Sequence, residues 1–237
     1  MQEIRYAEVN GREIPVLISD ENEALLAAKA AGRAIVGLWR EDMPQEEWCA
    51  ADTLIADLED ADPQFLERIA RRHLDLPWDI CETDRLRIRE FAEQDYEEIV
   101  KNQIDSGFDT KEKLKSYAER HYRVFEFGFW AVEEKKSGML VGVAGLCLPD
   151  EKSEEGVDQY MLSLEGEETG DDILELGYHI FPDHRRKGYA VEACQAIIRY
   201  AKEEFGITEF IARIRRTNLA SQKVAAKLGF VKVVSAC

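Results

Sequence analysis

The chain lacks any long apolar run. Among its 237 residues, no hydrophobic stretch reaches the roughly 18 residues that a membrane-spanning helix needs. The first residues, Met1–Arg5, also lack the basic segment followed by an apolar one that marks a secretory leader. Because 45% of the residues are hydrophobic and 33% are charged, we expect a soluble globular protein located in the cytoplasm.

Cysteine is scarce and irregularly spaced. The five cysteines are an odd number, and none of their spacings is typical of a zinc site or a redox motif. They are Cys49, Cys81, Cys147, Cys194 and Cys237. We therefore predict free buried thiols and no bound metal.

Positive charge is also in short supply. The 31 basic residues face 48 acidic ones, which gives a formal net charge of −17. A protein of this charge repels nucleic acid and anionic membranes, so we expect neither as a partner. Against this background, the consecutive cations Arg185, Arg186 and Lys187 indicate a local site for a specific anionic ligand.

These cations belong to a basic turn, His184–Ala190, between a predicted strand and a predicted helix. The strand covers Leu174–Phe181 and the helix covers Val191–Phe205. The first N–H groups of a helix have no intrahelical partner and the helix dipole adds positive potential, while Gly188 lets a phosphate approach the main chain. The turn is therefore typical of an anion site, although a solvated basic turn without a ligand is the alternative.

The first 77 residues favour a small α/β domain. Predicted strands cover Ile14–Ile18, Ala34–Trp39 and Thr53–Ala56, and predicted helices cover Asn22–Ala31 and Pro63–His73. We expect Asp20 or Ser19 to cap the first helix and Gly32 to end it. Since Leu76–Trp78 has the composition of a linker, we place the domain border between residues 77 and 78.

A set of short motifs marks the segment from Ser19 to Glu59. They are Ser19-Asp20, Ala27-Ala28-Lys29-Ala30-Ala31-Gly32, Ile35-Val36-Gly37, Ala51-Asp52 and Leu58-Glu59. In this order they resemble the last third of haloacid-dehalogenase-type hydrolases, whose nucleophilic aspartate lies in an earlier part that this chain has no room for. The resemblance implies a Rossmann-like fragment without catalysis, used for packing, dimerisation or regulation. We expect Asp20 to be a helix cap rather than a metal ligand.

A different succession of elements begins at Thr83. Arg85–Phe91 alternates apolar and polar residues as a half-buried strand does. Two helices, a hairpin and an acidic stretch at Asp150–Asp172 follow. The simplest interpretation of the acidic stretch is a solvent-exposed loop between two strands, a solvated excursion from the sheet. The predicted elements are helices at Gln94–Gln103, Lys111–Phe125 and Leu219–Lys227, and strands at Phe129–Glu133, Met139–Leu148, Gln159–Leu164, Ile207–Arg213 and Phe230–Ser235.

Five motifs follow one another in this region. They are Thr83-Asp84-Arg85-Leu86-Arg87-Ile88-Arg89, Glu175-Leu176-Gly177-Tyr178, Gly188-Tyr189-Ala190-Val191-Glu192-Ala193 within an Arg-x-x-Gly-x-Ala turn, Asn-x-x-Ser at 218–221, and Lys227-Leu228-Gly229-Phe230. Together they resemble the GNAT superfamily of acetyl-CoA-dependent N-acetyltransferases over Thr83–Val233, most closely its branch of ribosomal-protein N-terminal acetyltransferases. The resemblance implies an α/β (α+β) fold with a mixed, mostly antiparallel central sheet flanked by helices, in residues 78–237.

The resemblance also assigns a binding site for acetyl-CoA. The main chain and cations of the basic turn would hold the pyrophosphate, and the pantetheine arm would run beside the preceding strand like an added strand. In the family this strand splays from its neighbour, which leaves unpaired amides, and an asparagine amide contacts the arm. The cofactor-binding residues so implied are His179, Ile180, Phe181, Arg185, Arg186, Lys187, Gly188, Tyr189, Ala190 and Asn218.

Two residues match catalytic positions of the family. Glu175 would accept the proton of the amine nucleophile, directly or through water, and Ser221 would protonate the leaving thiolate. The alternatives are structural: Glu175 paired with Arg87 or Arg89, and Ser221 on a helix surface. Asn218 is equally well explained as the N-cap of its helix, and this role does not exclude a cofactor contact.

The sequence departs from the family pattern at three places. Ala225 stands where many members have the tyrosine general acid, and Arg213 stands where others have a glutamate. After the strand Phe230–Ser235 the family usually adds one more strand, which leaves the acceptor-side wall undefined.

We expect an enzyme that transfers acetyl from acetyl-CoA to a primary amine in a ternary complex. The amine is a peptide N-terminus or a small metabolite, and a homodimer is left open. A non-catalytic acyl-CoA sensor is the alternative, because the usual tyrosine is absent. We do not expect phosphatase activity from the N-terminal segment, since the part of the haloacid-dehalogenase-type fold that carries the nucleophilic aspartate is missing.

Overall fold

The computed structural model describes residues 1–41, 50–102, 108–150, 154–164 and 172–233. They form two compact units. The first comprises Met1–Trp78 and Ser116–Glu126, and the second comprises Asp79–Lys115 and Phe127–Cys237. The predicted border lies one residue from this division, but the grouping of 116–126 with the N-terminal residues was not predicted. That the two units are separate domains stays a prediction.

The first unit contains a four-stranded sheet in the order β1-β2-β3-β4. Its elements are β1 (Gln2–Val9), β2 (Arg12–Ser19), α1 (Asn22–Ala30), β3 (Ala34–Leu38), β4 (Leu54–Ile55) and α2 (Pro63–His73). β1 and β2 form an antiparallel hairpin, whereas β2, β3 and β4 are parallel. Parallel neighbours need a crossover, and α1 provides it between β2 and β3.

The core of this unit lies on the inner faces of the sheet and α2. Val16, Ile18 and Val36 pack with Leu66 and Ala70, and all five are buried. α2 begins as expected for Pro63, because the Asp62 carboxylate accepts a hydrogen bond from the Phe65 N–H. The predicted bounds of α2 are confirmed.

Two details of the first unit differ from the sequence predictions. β1 was not predicted. Most of its side chains are polar or exposed, so its sequence resembles a solvated segment. The cap of α1 is Glu21, and its side chain makes no capping bond. Asp20 instead pairs with the Met1 amine and, at 2.9 Å, with Arg40, and the Ser19 hydroxyl accepts from the Glu21 N–H at 3.0 Å, so the prediction of Asp20 or Ser19 as the cap was wrong.

The second unit contains an eight-stranded sheet in the order β12-β9-β11-β10-β8-β7-β6-β5. Its strands are β5 (Asp79–Glu82), β6 (Leu86–Arg89), β7 (Phe129–Glu134), β8 (Met139–Cys147), β9 (Val157–Ser163), β10 (Ile173–Ile180), β11 (Glu209–Arg215) and β12 (Val231–Lys232). Its helices are α3 (Tyr96–Lys101), α6 (Tyr189–Phe205) and α7 (Leu219–Leu228). The sheet is mixed and mostly antiparallel, and this confirms the predicted fold class.

The predicted helix Lys111–Phe125 consists of three pieces. They are α4 (Lys111–Ser116), a π-helical turn at Tyr117–His121, and α5 (Tyr122–Phe125). The predicted helix Gln94–Gln103 begins as a 3₁₀ turn at Glu93–Asp95 and continues as α3. Its last predicted residue, Gln103, lies outside the described residues.

The acidic stretch contributes a strand to the sheet. β9 pairs antiparallel with β11 from Val157 to Ser163 and also with β12. The prediction of a short strand is therefore confirmed, and the stretch is more than a solvated excursion. This edge of the sheet therefore includes a segment that precedes β10 in the chain. Residues 151–153, 165–171 and 234–237 lie outside the described part of the chain.

The described cysteines are free thiols. Only Cys194 is fully buried, whereas Cys81 and Cys147 are partly exposed. Burial raises the pKa of Cys81 and Cys194 to about 12. Cys49 and Cys237 lie outside the described residues. Within the described part of the chain, no helix combines the length and apolar character that a membrane crossing requires.

Candidate functional site: a basic turn beside a splayed pair of strands

The basic turn adopts an unusual main-chain conformation at the start of α6. Arg186 and Gly188 both have positive φ angles, of 62° and 87°. A left-handed non-glycine residue is strained, and such residues cluster at ligand-binding segments. Gly188 is the N-cap of α6, and no side chain among the described residues caps this helix end. The first N–H groups of α6 are therefore available to an anion.

Side chains from the connection between β5 and β6 hold the basic turn in place. Arg85 donates from Nη1 to the Lys187 carbonyl at 2.9 Å and from Nε to Glu192 at 2.7 Å. Thr83 donates its hydroxyl proton to the same Glu192 carboxylate at 2.5 Å. Burial alone would raise the pKa of Glu192, but the hydrogen bonds from Thr83 and Arg85 bring it below its usual range. Glu192 is thus ionised and held by its partners, away from an incoming anion.

A cavity opens beside the basic turn, and we call it the turn cavity. Its walls come from the end of β10, the turn, the first residues of α6 and one face of α7. Nε2 of His179 and Nδ1 of His184 are buried there without a hydrogen-bond partner among the described residues. The two imidazoles thus give this part of the cavity wall a polar character.

The cations of the basic turn add positive charge beside the start of α6. Arg185, Arg186 and Lys187 are exposed, and the Arg185 Nε donates to the Ile180 carbonyl at 2.8 Å. Burial lowers the pKa of His179, and the nearby charge of Arg185 lowers it further. An uncapped helix end with full positive charges around it is suited to a pyrophosphate.

The strand that precedes the turn separates from its neighbour. β10 pairs with β11 only from Ile173 to Glu175, whereas it pairs with β8 as far as Ile180. A second cavity, which we call the splay cavity, occupies the gap. It is lined by Glu175–Tyr178 of β10, by Ala212–Ile214 of β11 and by one face of α7. Within the described part of the chain, the edge of β10 that faces this gap has no strand partner after Glu175, as the family resemblance implies.

The three residues predicted to bind the cofactor at the end of β10 differ in their surroundings. His179 and Ile180 line the turn cavity. The Phe181 N–H donates to the Val141 carbonyl at 3.0 Å, and the Phe181 carbonyl accepts from the His184 N–H at 2.9 Å. The main-chain groups of Phe181 are therefore already used within the protein.

α7 brings Asn218 and Ser221 to both cavities. The Asn218 side chain accepts a hydrogen bond from the Ser221 N–H at 3.1 Å, so Asn218 is the N-cap of α7. Ser221 is not on a free helix surface, because the Tyr178 hydroxyl donates to its Oγ at 3.1 Å. Burial raises the pKa of Tyr178, and the hydrogen bond with Ser221 opposes part of this rise.

Glu175 lies in the splay cavity and forms an ion pair. The Arg213 Nε donates to its two carboxylate oxygens at 2.9 and 3.1 Å, and the Glu175 side chain is 13% exposed. Its partner is thus neither Arg87 nor Arg89, which pair with Asp79 and Asp95. Arg213 is the residue that departs from the family pattern, and the fold places it against the candidate base.

The two cavities meet at four residues, which we call the junction. Tyr178, Asn218, Ser221 and Val224 line both the turn cavity and the splay cavity. The turn cavity and the cavity of Glu175 are therefore neighbours on the two sides of the junction. Sequence reasoning missed Tyr178 and Arg85 as site residues, although both lie within the motifs that carry the family resemblance.

Comparison with known proteins agrees with this geometry. The profile of the acetyltransferase (GNAT) domain matches residues 85–231. The uncharacterized N-acetyltransferase YjdG of Bacillus subtilis is 39% identical over 106 residues, which are 44% of this chain and 52% of YjdG. The chain thus spans about half the length of this curated relative.

The fold is similar to that of a solved acetyltransferase structure. A GNAT-family acetyltransferase from Bordetella pertussis has a TM-score of 0.50 and 21% identity, over 66% of this chain and 91% of that one. A ribosomal-protein-S5-alanine acetyltransferase from Vibrio fischeri has a TM-score of 0.48 and 16% identity, over 66% of this chain and 84% of that one. Since the family profile covers more than half of the residues, the chain belongs to the GNAT acetyltransferase family.

Proposed function

We propose that the protein transfers an acetyl group from acetyl-CoA to a primary amine by direct attack in a ternary complex. The observation that carries the proposal is the junction, where a cavity suited to a pyrophosphate-bearing ligand adjoins a second cavity that contains a carboxylate. Adjacent cavities are compatible with both substrates being bound at once, as direct transfer requires.

The basic turn would bind the coenzyme A pyrophosphate. In this proposal the N–H groups of Arg186–Ala190 and the side chains of Arg185, Arg186 and Lys187 contact the phosphate oxygens. The Ile180 carbonyl accepts from Arg185, so the remaining main-chain groups at His179 and Ile180 would pair with the amide-bearing pantetheine arm, and Asn218 would contact the arm from α7. Coenzyme A fits better than a simple phosphate, because only a ligand with amides uses both the turn and the edge.

Glu175 would serve as the base, directly or through a water molecule. An ammonium ion has no lone pair, so the acceptor must lose a proton before it attacks. Arg213 holds the Glu175 carboxylate in one orientation toward the splay cavity. Burial and the negative charge of Glu175 raise the pKa of the neighbouring Cys147 to about 11, so this thiol stays protonated and a poor nucleophile. This supports a route without a covalent enzyme intermediate.

A screen of amines with acetyl-CoA tests the proposal. Purified protein is mixed with acetyl-CoA and a panel of peptide N-termini and small primary amines, and the release of free thiol is measured. Turnover with at least one amine is expected. If acetyl-CoA raises the melting temperature but no amine of either class is acetylated, the protein is an acyl-CoA sensor and the proposed function is wrong.

For the first unit, we propose a non-catalytic role in packing, dimerisation or regulation. The parallel β2-α1-β3 arrangement supports the resemblance to a haloacid-dehalogenase-type fragment. Asp20, at the end of β2, is occupied by the Met1 amine and Arg40. Magnesium-dependent phosphoester hydrolysis is therefore not expected, and an assay with a generic aryl phosphate checks this.

A further inference from the structure

We propose that the first unit binds a phosphate group in a cavity lined by basic side chains. We call it the cationic cavity, and its basic residues are Lys29, Arg33, Arg72, His73 and Arg123. All five belong to the first unit. The inference goes beyond the acetyl transfer proposed above, which concerns the second unit, and it gives the non-catalytic first unit a ligand.

The cationic cavity lies at the amino end of β3. Ala34 and Ile35, the first two residues of this strand, form part of its wall. Because β2 and β3 are parallel, Asp20 after the carboxyl end of β2 lies at the opposite end of the sheet. The volume of the cavity is about 110 Å³. One water molecule needs roughly 10–15 Å³, so a small polyatomic ion fits.

Positive charge is concentrated around this cavity. Lys29, Arg33, Arg72 and Arg123 are permanently charged, and among the described residues that line the cavity the one carboxylate is Asp52. This carboxylate is shared, because the Arg123 Nη1 lies 2.9 Å and the Lys29 Nζ 3.8 Å from its Oδ2. Four cations against one carboxylate leave an excess of three positive charges, in a chain whose net charge is −17.

The nearby carboxylate of Glu126 does not cancel this excess. It pairs with Arg72 at 3.2 Å and also with Arg68 at 3.2 Å, and neither Glu126 nor Arg68 lines the cavity. The charges of these two outer residues offset each other, so the positive charge of Arg72 remains. The Arg72 side chain is only 5% exposed. Little water screens this guanidinium, so it interacts strongly with a nearby anion.

Stabilisation of helix ends explains only part of the basic cluster. Cations favour helix C-termini, and Lys29 lies in the last turn of α1, as Arg72 and His73 do in that of α2. Arg33 instead follows Gly32 in the connection to β3. Among the described residues, its side chain has no hydrogen-bond or ion-pair partner. A ligand in the cavity gives this guanidinium an interaction that the folded chain alone does not provide.

The arrangement of the donors favours a phosphate over a carboxylate. A carboxylate offers two oxygens in one plane and one negative charge, which suits a single guanidinium fork. A phosphate offers a tetrahedron of oxygens and a charge of about −1.5 to −2 at neutral pH. It can therefore accept hydrogen bonds from Lys29, Arg33 and Arg123 at once, although these approach from α1, from the connection after it and from α5 (Tyr122–Phe125).

An NMR titration of the histidines tests the proposal. Inorganic phosphate is added to the full chain at constant pH and constant ionic strength, and the imidazole signals of His73 are assigned with His73→Gln. The His73 ring lines the cavity. We therefore expect its signals to shift and to saturate. His179 and His184 report in the same titration on any phosphate that binds at the basic turn instead.

Arg33→Gln is the most informative variant. Because the Arg33 side chain has no partner among the described residues, its loss should not disturb folding. It should raise the dissociation constant measured at His73 about 10-fold, and Arg123→Gln should act in the same direction. Arg40→Gln is the matched control, since it removes one positive charge after the carboxyl end of β3, at the other end of the sheet. It should leave the constant unchanged.

Methyl phosphate distinguishes the two sources of the phosphate group. Equal binding of methyl phosphate and inorganic phosphate supports a phosphate ester as the ligand, whereas binding of inorganic phosphate alone supports the free ion.

Three results would overturn the proposal. The first is the absence of a saturable shift at His73 with either compound. The second is an unchanged dissociation constant in both Arg33→Gln and Arg123→Gln. The third is an equal loss of binding in Arg40→Gln, which would show a response to net charge only. None of these results bears on the acetyl transfer, because the amine screen tests it independently.

Discussion

The basic turn and the junction lie next to each other, but they are built in different ways. The turn offers main-chain N–H groups whose positions depend on two left-handed residues, Arg186 and Gly188. The junction offers side-chain hydroxyls and an amide from β10 and α7. The difference teaches that binding at the turn depends on conformation, whereas chemistry at the junction depends on particular atoms.

The largest expected effect tests the turn. Gly188→Glu should abolish the increase in melting temperature that coenzyme A causes. At a φ of 87° any side chain is strained, a Cβ would lie 3.3 Å from the Arg85 Nη2, and the new carboxylate would repel the pyrophosphate. Differential scanning fluorimetry with coenzyme A measures the effect.

Gly138→Glu is the control for Gly188→Glu. Gly138 also has a positive φ, of 67°, but it lies in the β7–β8 hairpin with open space around it. The two variants share the backbone strain, and only Gly188→Glu should lose the ligand response. A response that survives in Gly188→Glu would refute the placement of coenzyme A at the turn.

The second-largest expected effect tests the proposed role of Glu175 as the general base. Glu175→Gln should lower kcat about 100-fold, as expected for the loss of a general base, while the melting-temperature shift with coenzyme A is unchanged. Steady-state release of thiol with the best amine of the screen measures it. Glu209→Gln, which neutralises a carboxylate on the adjacent strand β11, should leave kcat unchanged; a similar loss there would point to net charge rather than to a base.

A third experiment measures how much the hydrogen bonds of Arg85 contribute to ligand binding at the basic turn. Arg85→Gln should weaken coenzyme A binding about 10-fold, because it removes the hydrogen bonds to the Lys187 carbonyl and to Glu192. Arg85→Lys keeps the charge without the forked geometry and should give an intermediate dissociation constant. Wild-type affinity in Arg85→Gln, measured by isothermal titration calorimetry, would show that the turn holds its conformation by the main chain alone.

The smallest expected effect is a change in the pKa of His179, which lies between the basic turn and the junction. His179 has a pKa below its usual value, first because it is buried and second because Arg185 lies nearby. Removing this cation makes protonation easier, so Arg185→Gln should raise the pKa of His179 in the ligand-free protein. NMR titration of the imidazole follows it, with Lys187→Gln as the comparison; an unchanged pKa in Arg185→Gln would assign the whole shift to burial.

Much of the second unit was predictable from local patterns. The hairpin of β7 and β8, the strand β10, the helices α6 and α7 and the cap at Asn218 all follow from periodicity and end signals that act within a few residues. The basic turn was recognisable because its cations stand out in a chain of net charge −17.

Other features were not predictable in this way. β9 pairs with residues about fifty positions away, so nothing in its acidic neighbourhood indicates its place between β11 and β12. The partner of Glu175 is Arg213, brought close by the parallel pairing of β10 with β11. Long-range pairing of this kind depends on the arrangement of the whole sheet.

The sequence by itself determined the family, most of the elements of the second unit and the basic turn. These depend on residue type, charge and short-range spacing, which are properties of the chain alone. Only the tertiary structure decided that the pairing of β10 with β11 ends at Glu175, that Arg213 orients this carboxylate, and that Tyr178 meets Ser221 across the gap. The physical reason is distance along the chain: Tyr178 and Ser221 are 43 residues apart, and only the packing of α7 beside β10 makes them neighbours.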